Sequence, residues 1–188
     1  QLSLFHMQSE SWDAAEAALR RAIDLAPADG TLMRRMSDLI ARRGDLDASI
    51  AWARRAIAAR PHDPGGHVHL AMLQLRAGAL PDAEAALQQA LACTPGDPVI
   101  MRRLSDAAER RGDLKAAFDW ANKAIGVRPL DPAGYHHLWA MFFRNDDLVL
   151  AEAALKKAVE LAPADAGLMR RMSETASRRG DKAAALDW

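Results

Sequence analysis

A proline recurs at a fixed interval of 34 residues, at Pro27, Pro61, Pro95, Pro129 and Pro163, and no insertion breaks the phase. A period of that length describes one supersecondary unit, too small to cover its own apolar face, so successive units must stack. Two residues after each proline stands an aspartate (Asp29, Asp63, Asp97, Asp131, Asp165), and three of these precede Pro64, Pro98 and Pro132. Aspartate accepts hydrogen bonds from the orphan N–H groups of a first helical turn, and proline at the next position has no N–H to lose, so each pair marks a helix start. About fourteen residues later, Gly44, Gly78, Gly112 and Gly180 supply the permissive backbone with which a helix ends, and a second helix begins just beyond. Each period therefore reads as a helical hairpin.

Small residues recur in the second helix at Ala15, Ser49, Ala83, Ala117, Ala151 and Ala185, and again at Ala22, Ala56, Ala90, Ala124 and Ala158. They let two helices approach closely. The matching apolar position of the first helix holds Leu2, Met36, Leu70, Leu104, Leu138 and Met172. With its Leu, small, Ala and Pro positions met along the whole length, the chain resembles the tetratricopeptide family, whose pattern is W-x2-L-G-x2-Y…A-x3-F…P. The aromatic positions depart from it: the Trp position reads Met33, His67, Met101, Tyr135 and Met169, and the Tyr position reads Ile40, Gln74, Ala108, Phe142 and Ala176. Pentatricopeptide repeats run one residue longer, which the gapless 34 argues against. The resemblance implies an all-α fold, a right-handed α-solenoid of antiparallel helical hairpins. Its boundaries fall at 1–29 (partial), 30–63, 64–97, 98–131, 132–165 and 166–188 (partial), about 5.5 repeats in a single array.

A 68-residue superperiod lies on top. Even repeats share LMRRMSD…RRGDLDASIAWA and IMRRLSD…RRGDLKAAFDWA, and odd repeats share AEAALRRAIDLAP, AEAALQQALACTP and AEAALKKAVELAP. Where even repeats carry Trp52-Ala53 and Trp120-Ala121, odd repeats carry Ala18-Leu19, Ala86-Leu87 and Ala154-Leu155. Such a volume-conserving alternation is what a packed core tolerates, and it predicts core tryptophans.

Half of the 188 residues are apolar and only 5% are aromatic, a mixture that favours helices. Twenty-five Lys plus Arg balance 25 Asp plus Glu, so overall charge points to neither a nucleic acid nor a membrane as partner. No apolar run approaches the roughly 20 residues of a membrane span, Cys93 has no second cysteine to pair with, and no targeting signal is visible. These features predict a soluble, cytoplasmic protein. The ends fall within helices and lack polar capping helices, which predicts a longer parent and end-to-end self-association through Leu2, Phe5 and the faces around Met172 and Trp188.

No nucleophile elbow, Walker loop, HExxH or CxxC occurs, and no Ser/His/Asp set is suggested by spacing, so neither an enzyme nor a cofactor is expected. His67, His69, His136 and His137 lack the spacing of four that places metal ligands on one helix face, and read as surface and groove histidines. Cys93, at an apolar position of a second helix, reads as a small core residue.

Arginine carries the stronger pattern. Arg42, Arg76, Arg110, Arg144 and Arg178 share one phase near the end of the first helix, and even repeats add Arg34, Arg102 and Arg170 eight residues earlier, with Asp38, Asp106 and Glu174 between. The resemblance implies that first helices line a concave surface and that these phases point into it. Val68, Met72 and Leu75 in one odd repeat, and His136, Ala140 and Phe143 in the other, would supply apolar strips between the charged rows. That profile suits a protein or peptide with acidic and apolar residues, so an interaction scaffold is expected. The same arginines and acids also fit an intrahelical i, i+4, i+8 charge ladder. Two other roles suit the sequence: a substrate-docking or regulatory arm of a larger enzyme, as resemblance to repeat arms on glycosyltransferases allows, and binding of an anionic polymer. The fifth repeat stands apart. Trp139 replaces Ser37, Ala71, Ser105 and Ser173, Asn145-Asp146 replaces the turn glycine, and the indole is expected either to spread the helices or to turn outward.

Overall fold

The computed structural model describes residues 2–188, and side chains for residues 11–186 and 188. Among the described residues there are eleven helices and no strand: α1 (Leu2–Leu25), α2 (Gly30–Arg42), α3 (Leu46–Ala59), α4 (Pro64–Arg76), α5 (Leu80–Cys93), α6 (Pro98–Arg110), α7 (Leu114–Val127), α8 (Pro132–Arg144), α9 (Leu148–Leu161), α10 (Ala166–Arg178) and α11 (Lys182–Asp187). From α2 onward first and second helices alternate, and the first helices begin and end 34 residues apart, as the proline period predicts.

Local chemistry sets the helix ends. Each first helix opens on its aspartate: Asp29 accepts from Thr31 N at 2.8 Å, Asp63 from Gly65 N at 2.9 Å, Asp97 from Val99 N at 2.7 Å, Asp131 from Ala133 N at 2.9 Å and Asp165 from Gly167 N at 2.8 Å. Asp45, Asp113, Asp147 and Asp181 cap α3, α7, α9 and α11 in the same way. The turn glycines take the left-handed conformation, with φ of +96° at Gly44 and +86° at Gly112. In the fifth repeat Asp146 takes it instead, at φ 63°; aspartate is one of the few side chains that tolerate this region. One expected hairpin is missing. The first repeat has Glu10 where four of its siblings have glycine and the fifth repeat has Asp146, and in place of a first-helix remnant, a turn and a second helix the backbone runs as the single 24-residue helix α1.

The helices form two compact units, one ending at Pro95 and the other beginning at Gly96. In the first, α2 packs on α3 and α4 on α5, with α1 against α2 and α4 against both α2 and α3. In the second, α6 pairs with α7, α8 with α9 and α10 with α11, while α8 touches α6 and α7, and α9 touches α10.

Within each hairpin the helices meet at small residues without solvent exposure: Ser37 and Ser49, Ala71 and Ala83, Ser105 and Ala117. Leucines and methionines flank them. Met36, Ile23 and Ile40 form one cluster in the first unit, and Trp139, Leu155, Leu168 and Met172 belong to one in the second. Met172 is therefore core material and not part of an open end face, whereas Leu186 and Trp188 are exposed; Leu2 and Phe5 lie outside the residues whose side chains are described. The alternation of Trp-Ala and Ala-Leu corrects one expectation. Ala53 and Ala121 are buried, as are both members of Ala86-Leu87 and Ala154-Leu155, while Trp52 and Trp120 stay half-buried, each beneath a cation, with Arg55 4.0 Å and Lys123 4.2 Å from the ring centres. An indole is too large for a site shaped around alanine, so it lies across the helix surface and its face is covered by a neighbouring cation.

An added Cβ at Gly112 meets no atom within 4 Å, so Gly112→Ala should cost only the left-handed backbone penalty, about 1–2 kcal/mol. Gly126→Ala is equally unobstructed but lies inside α7 without positive φ, and should stabilise by about 0.5–1 kcal/mol. Thermal denaturation of the two variants should show melting temperatures displaced in opposite directions.

Candidate functional site

The arginine at the end of a first helix does not pair with the acids of its own helix. In three of the five, Arg76, Arg144 and Arg178, it reaches back to the C-terminal end of the preceding first helix. Arg76 Nη2 donates to the Ala41 carbonyl at 3.4 Å. Arg144 grips Glu109 through Nε at 3.1 Å and Nη2 at 2.5 Å and lies 3.8 Å from Asp106; the Glu109 hydrogen bond holds its pKa above the ordinary value. Arg178 donates to the Phe143 carbonyl at 2.9 Å, pairs with Asp146 at 2.9 Å, and places its guanidinium 4.5 Å from the Phe143 ring centre. A guanidinium at exposed C-terminal carbonyls is favourable both as a hydrogen-bond donor and as a charge at the negative end of the helix. Arg42 and Arg110, at the same phase, are exposed and pair with no described residue.

The earlier arginines reach forward. Arg34 pairs with the Asp63 cap of α4 at 3.3 Å, and Arg102 approaches the Asp131 cap of α8 at 3.8 Å. Arg170 is exposed without a described partner. The intrahelical ladder that the spacing allows is thus replaced by contacts between repeats: Asp38 and Asp106 face histidines of the next first helix instead of arginines of their own. Spacing within one helix could not show this, because the next helix lies within reach of the same long side chains.

Two recesses between consecutive first helices, one in each unit, set arginines beside apolar side chains; a further one, between α6 and α8, is lined by Asp106, Glu109, Arg110 and Arg144. In the first, of about 370 Å³ between α2 and α4, Arg34 and Arg35 meet Val68 and Met72, with Asp38 and His69 in the wall. In the second, of about 310 Å³ between α8 and α10, Arg170 and Arg171 meet His136, Pro132, Ala133 and Leu168. The structure thus brings together Arg34, Val68 and Met72, and separately Arg170 and His136. Leu75 is half-buried outside both recesses, and Phe143 lies under Arg178 with its ring centre 5.3 Å from that of Trp139.

Trp139 turns inward and is 7% exposed. Its Nε1 donates to Thr175 Oγ1 at 2.9 Å, His136 stacks on it at 5.1 Å, and the Arg171 guanidinium lies 5.0 Å from its ring centre. Arg171 Nε also donates to His136 Nε2 at 2.5 Å, which fixes that imidazole as an acceptor. Arg171 belongs to the repeated Arg-Arg doublet, the signal from which its role was legible; only the first arginine of each doublet falls on the phase picked out by the sequence pattern.

The sequence suggested surface and groove histidines; His69 and His136 do line the two arginine recesses, and His69 and His137 also join the packing between repeats. His69 Nε2 lies 2.8 Å from Ser37 Oγ and its Nδ1 3.6 Å from Asp38. His137 repeats the arrangement 68 residues on, 2.9 Å from Ser105 Oγ and 4.0 Å from Asp106. These two Ser/His/Asp sets were invisible to spacing because their members lie on different helices. They are not built for nucleophilic catalysis. Ser37 donates its single proton to the Ser49 carbonyl at 2.8 Å and Ser105 donates to the Ala117 carbonyl at 2.8 Å, so each imidazole is the donor, the reverse of a general base. Both hydroxyls are also fully buried.

Burial lowers the pKa values of His69, His136 and His137. Asp38 and Asp106 oppose the shift at His69 and His137, and Arg171 adds to it at His136. Since the folded chain resists protonation more than the unfolded chain, the stabilisation is fully present above the ordinary value of about 6.5 and is lost as pH falls through the lowered folded values. The melting temperature should therefore drop between pH 7 and 5, above the range of ordinary carboxylates. A His69→Gln, His137→Gln variant, whose amides still donate to the serines, should lose most of that slope; an unchanged slope would rule these histidines out as its source.

Two family models described as tetratricopeptide repeats match residues 5–64 and 41–104, together more than half of the chain. No curated protein sequence matches it. Among solved structures, PilW, a widely conserved type IV pilus biogenesis factor, is similar with a TM-score of 0.74 at 17% identity, covering 100% of this chain and 87% of PilW. PilF of Pseudomonas aeruginosa gives 0.71 at 14% identity, covering 100% and 85%. YrrB, a tetratricopeptide protein with an unusual peptide-binding site, gives 0.59 at 14%, covering 90% and 88%. At such identities these likenesses bear on the fold alone. Together with the gapless 34-residue register, the paired helices and their small-residue contacts, the matched family models establish that the chain belongs to the tetratricopeptide repeat family.

Proposed function

We propose that the protein is an interaction scaffold whose first-helix faces hold a partner segment bearing acidic and apolar residues. The observation that carries this reading is the pair of recesses between consecutive first helices, each setting arginines beside apolar walls. A carboxylate meets a guanidinium fork with two hydrogen bonds, and a neighbouring apolar side chain gains contact area on Val68 and Met72 or on Pro132 and Leu168. YrrB offers a parallel, as a family member with a peptide-binding site. No described helix is long and apolar enough to cross a membrane.

The arginines divide by role. Arg76, Arg144 and Arg178 brace adjacent repeats, and a partner would have to compete with those contacts. Among the described residues, Arg42, Arg110 and Arg170 make no such contact. An ion pair in a partly desolvated recess contributes more than one on open surface, yet each arginine alone contributes modestly, so binding should weaken progressively with salt.

The test is affinity capture from the source organism with the wild-type chain and with an Arg42→Gln, Arg110→Gln, Arg170→Gln variant. These are exposed positions and glutamine is a good helix former, so the melting temperature should move by only a few degrees. Proteins retained by the wild type and lost by the variant are the expected partners; an identical retained set would sink the reading. Capture of nucleic acid or other polyanions, with a salt slope indifferent to sequence, would replace it with anionic-polymer binding.

A further inference from the structure

Arg34, Val68, Arg102, His136 and Arg170 share one phase of the first helix, and Ser37, Ala71, Ser105, Trp139 and Ser173 share another three residues on, so only the fifth repeat sets a histidine beside a tryptophan. The two rings stack, and Arg171 of the next first helix closes on both. Its guanidinium lies 5.0 Å from the Trp139 ring centre, and its Nε donates to His136 Nε2 at 2.5 Å. Arginine keeps its proton in folded proteins, so the imidazole supplies the lone pair at Nε2 and carries its own proton on Nδ1. Both residues line the recess of about 310 Å³ between α8 and α10, where Arg170 is exposed and Pro132 and Ala133 offer apolar surface.

The atom that would take up a proton is the one Arg171 already engages. Once Nε2 is protonated that bond is lost, and two N–H donors of like charge face each other across the same gap. The groups that act on the His136 charge are Arg171 on α10, His137 on α8 and Asp165 at the cap of α10, and of these only Asp165 favours the charged ring. Its carboxylate is committed to that cap, Oδ1 accepting from Gly167 N at 2.8 Å and from Leu168 N at 3.3 Å. On the other helices packed against α8, Arg102 approaches Asp131, Asp106 and Glu109 face Arg144, Lys123 covers Trp120, and Lys156 and Lys157 pair with Glu152 and Glu160. Burial and the neighbouring cation therefore hold His136 uncharged, and an anion at the same place would reverse the balance.

Resting on the scaffold reading, we propose that this recess takes up an aspartate or glutamate carboxylate of the partner together with a proton on His136, so that acidity tightens the hold on the partner. A carboxylate has an oxygen for each donor, one for the Nε2–H of the charged imidazole and one for the Nε–H that Arg171 releases, and Arg170 adds charge at the same recess. A neutral amide brings no charge to offset the second cation, so it binds without the proton. Proton and carboxylate each strengthen the other's binding by the same factor. Affinity therefore rises as pH falls through the interval between the lowered pKa of His136 without ligand and its higher value beside the bound anion. The ligand stays ionised there, since its own carboxyl titrates near about 4.

The experiment is a nuclear magnetic resonance titration of the full chain from about pH 7.5 to about pH 5.5, reading the His136 ring protons, with circular dichroism to verify the fold at each pH. The probes are acetyl-Leu-Glu-Leu-amide, acetyl-Leu-Gln-Leu-amide and inorganic phosphate. The glutamate peptide should raise the His136 midpoint saturably and bind about three- to tenfold more tightly at the lower pH, one proton changing affinity by at most about tenfold per pH unit. The glutamine peptide should do neither. His136→Gln, whose amide oxygen still accepts from Arg171, should melt within a few degrees of the wild type and bind the glutamate peptide, read at the Arg171 Nε–H, with the same affinity at both pH values. A midpoint that the glutamate peptide leaves unmoved, no binding of that peptide at either pH, equal effects of the two peptides, or a pH dependence that survives in His136→Gln would each overturn the proposal. A midpoint raised by phosphate and not by the glutamate peptide would assign the site to phosphate and overturn the carboxylate. Binding of the glutamate peptide with equal affinity at both pH values would overturn proton uptake and leave the scaffold reading standing; that reading falls only if the Arg42→Gln, Arg110→Gln, Arg170→Gln variant retains the same proteins as the wild type.

Discussion

Close approach of the two helices of a hairpin is the constraint on which the rest of this structure depends. Where Ser37 meets Ser49, Ala71 meets Ala83 and Ser105 meets Ala117, no side chain larger than a hydroxymethyl group separates the backbones. The serines add direct bonds across the gap: Ser37 and Ser49 donate to each other's carbonyls at 2.8 Å, and Ser173 donates to the Ala185 carbonyl at 2.6 Å. At that spacing leucines and methionines beside the contact interdigitate at the density of a protein interior. The gapless 34-residue register follows from the same requirement, since an insertion in either helix would move the small residues out of opposition.

Trp139 shows what happens when the rule is broken. Its indole remains inside, because α10 supplies a hydroxyl acceptor at Thr175 and α8 and α10 supply His136 and Arg171 to cover the ring. An enlarged side chain at the hairpin contact has thus been absorbed into the boundary between α8 and α10. The arginine recess of the second unit is built on that boundary, with Arg171 held by His136 while Arg170 stays exposed. In the first unit the equivalent contact belongs to Ser37, and there the serine recruits His69 from the next repeat. Each unit thus couples its hairpin contact to the wall of its candidate binding recess, by an aromatic cage in one case and a serine–histidine bond in the other.

Arginine serves two purposes in the same register. Those that find a carbonyl or carboxylate on the preceding repeat tie neighbours together, as Arg144 does to Glu109 and Arg178 to Phe143 and Asp146. Those that do not, such as Arg110, leave charge exposed on the first-helix face. An arginine row can therefore be fixed in phase by the repeat and still vary in availability from one repeat to the next.

Features whose cause is local were legible in the sequence. An aspartate cap bonds N–H groups two or three residues away, a turn glycine answers a demand of its own φ, and a small residue marks a close contact wherever the chain brings it, so the period, helix ends, hairpin faces and family could be read directly. That α1 would run unbroken was not legible, since the fifth repeat also lacks the turn glycine and turns at Asp146 nonetheless. Only the tertiary structure decided what the long and titratable side chains do. Arg34 and Arg102 could have met acids on their own helices and instead reached caps 29 residues on; His69 and His137 found serines 32 residues back; and Trp139 turned inward because Thr175 awaited it. The physical reason is reach: a guanidinium or an imidazole spans the gap between helices as readily as one turn of its own, and which partner wins depends on distances between helices that only packing sets.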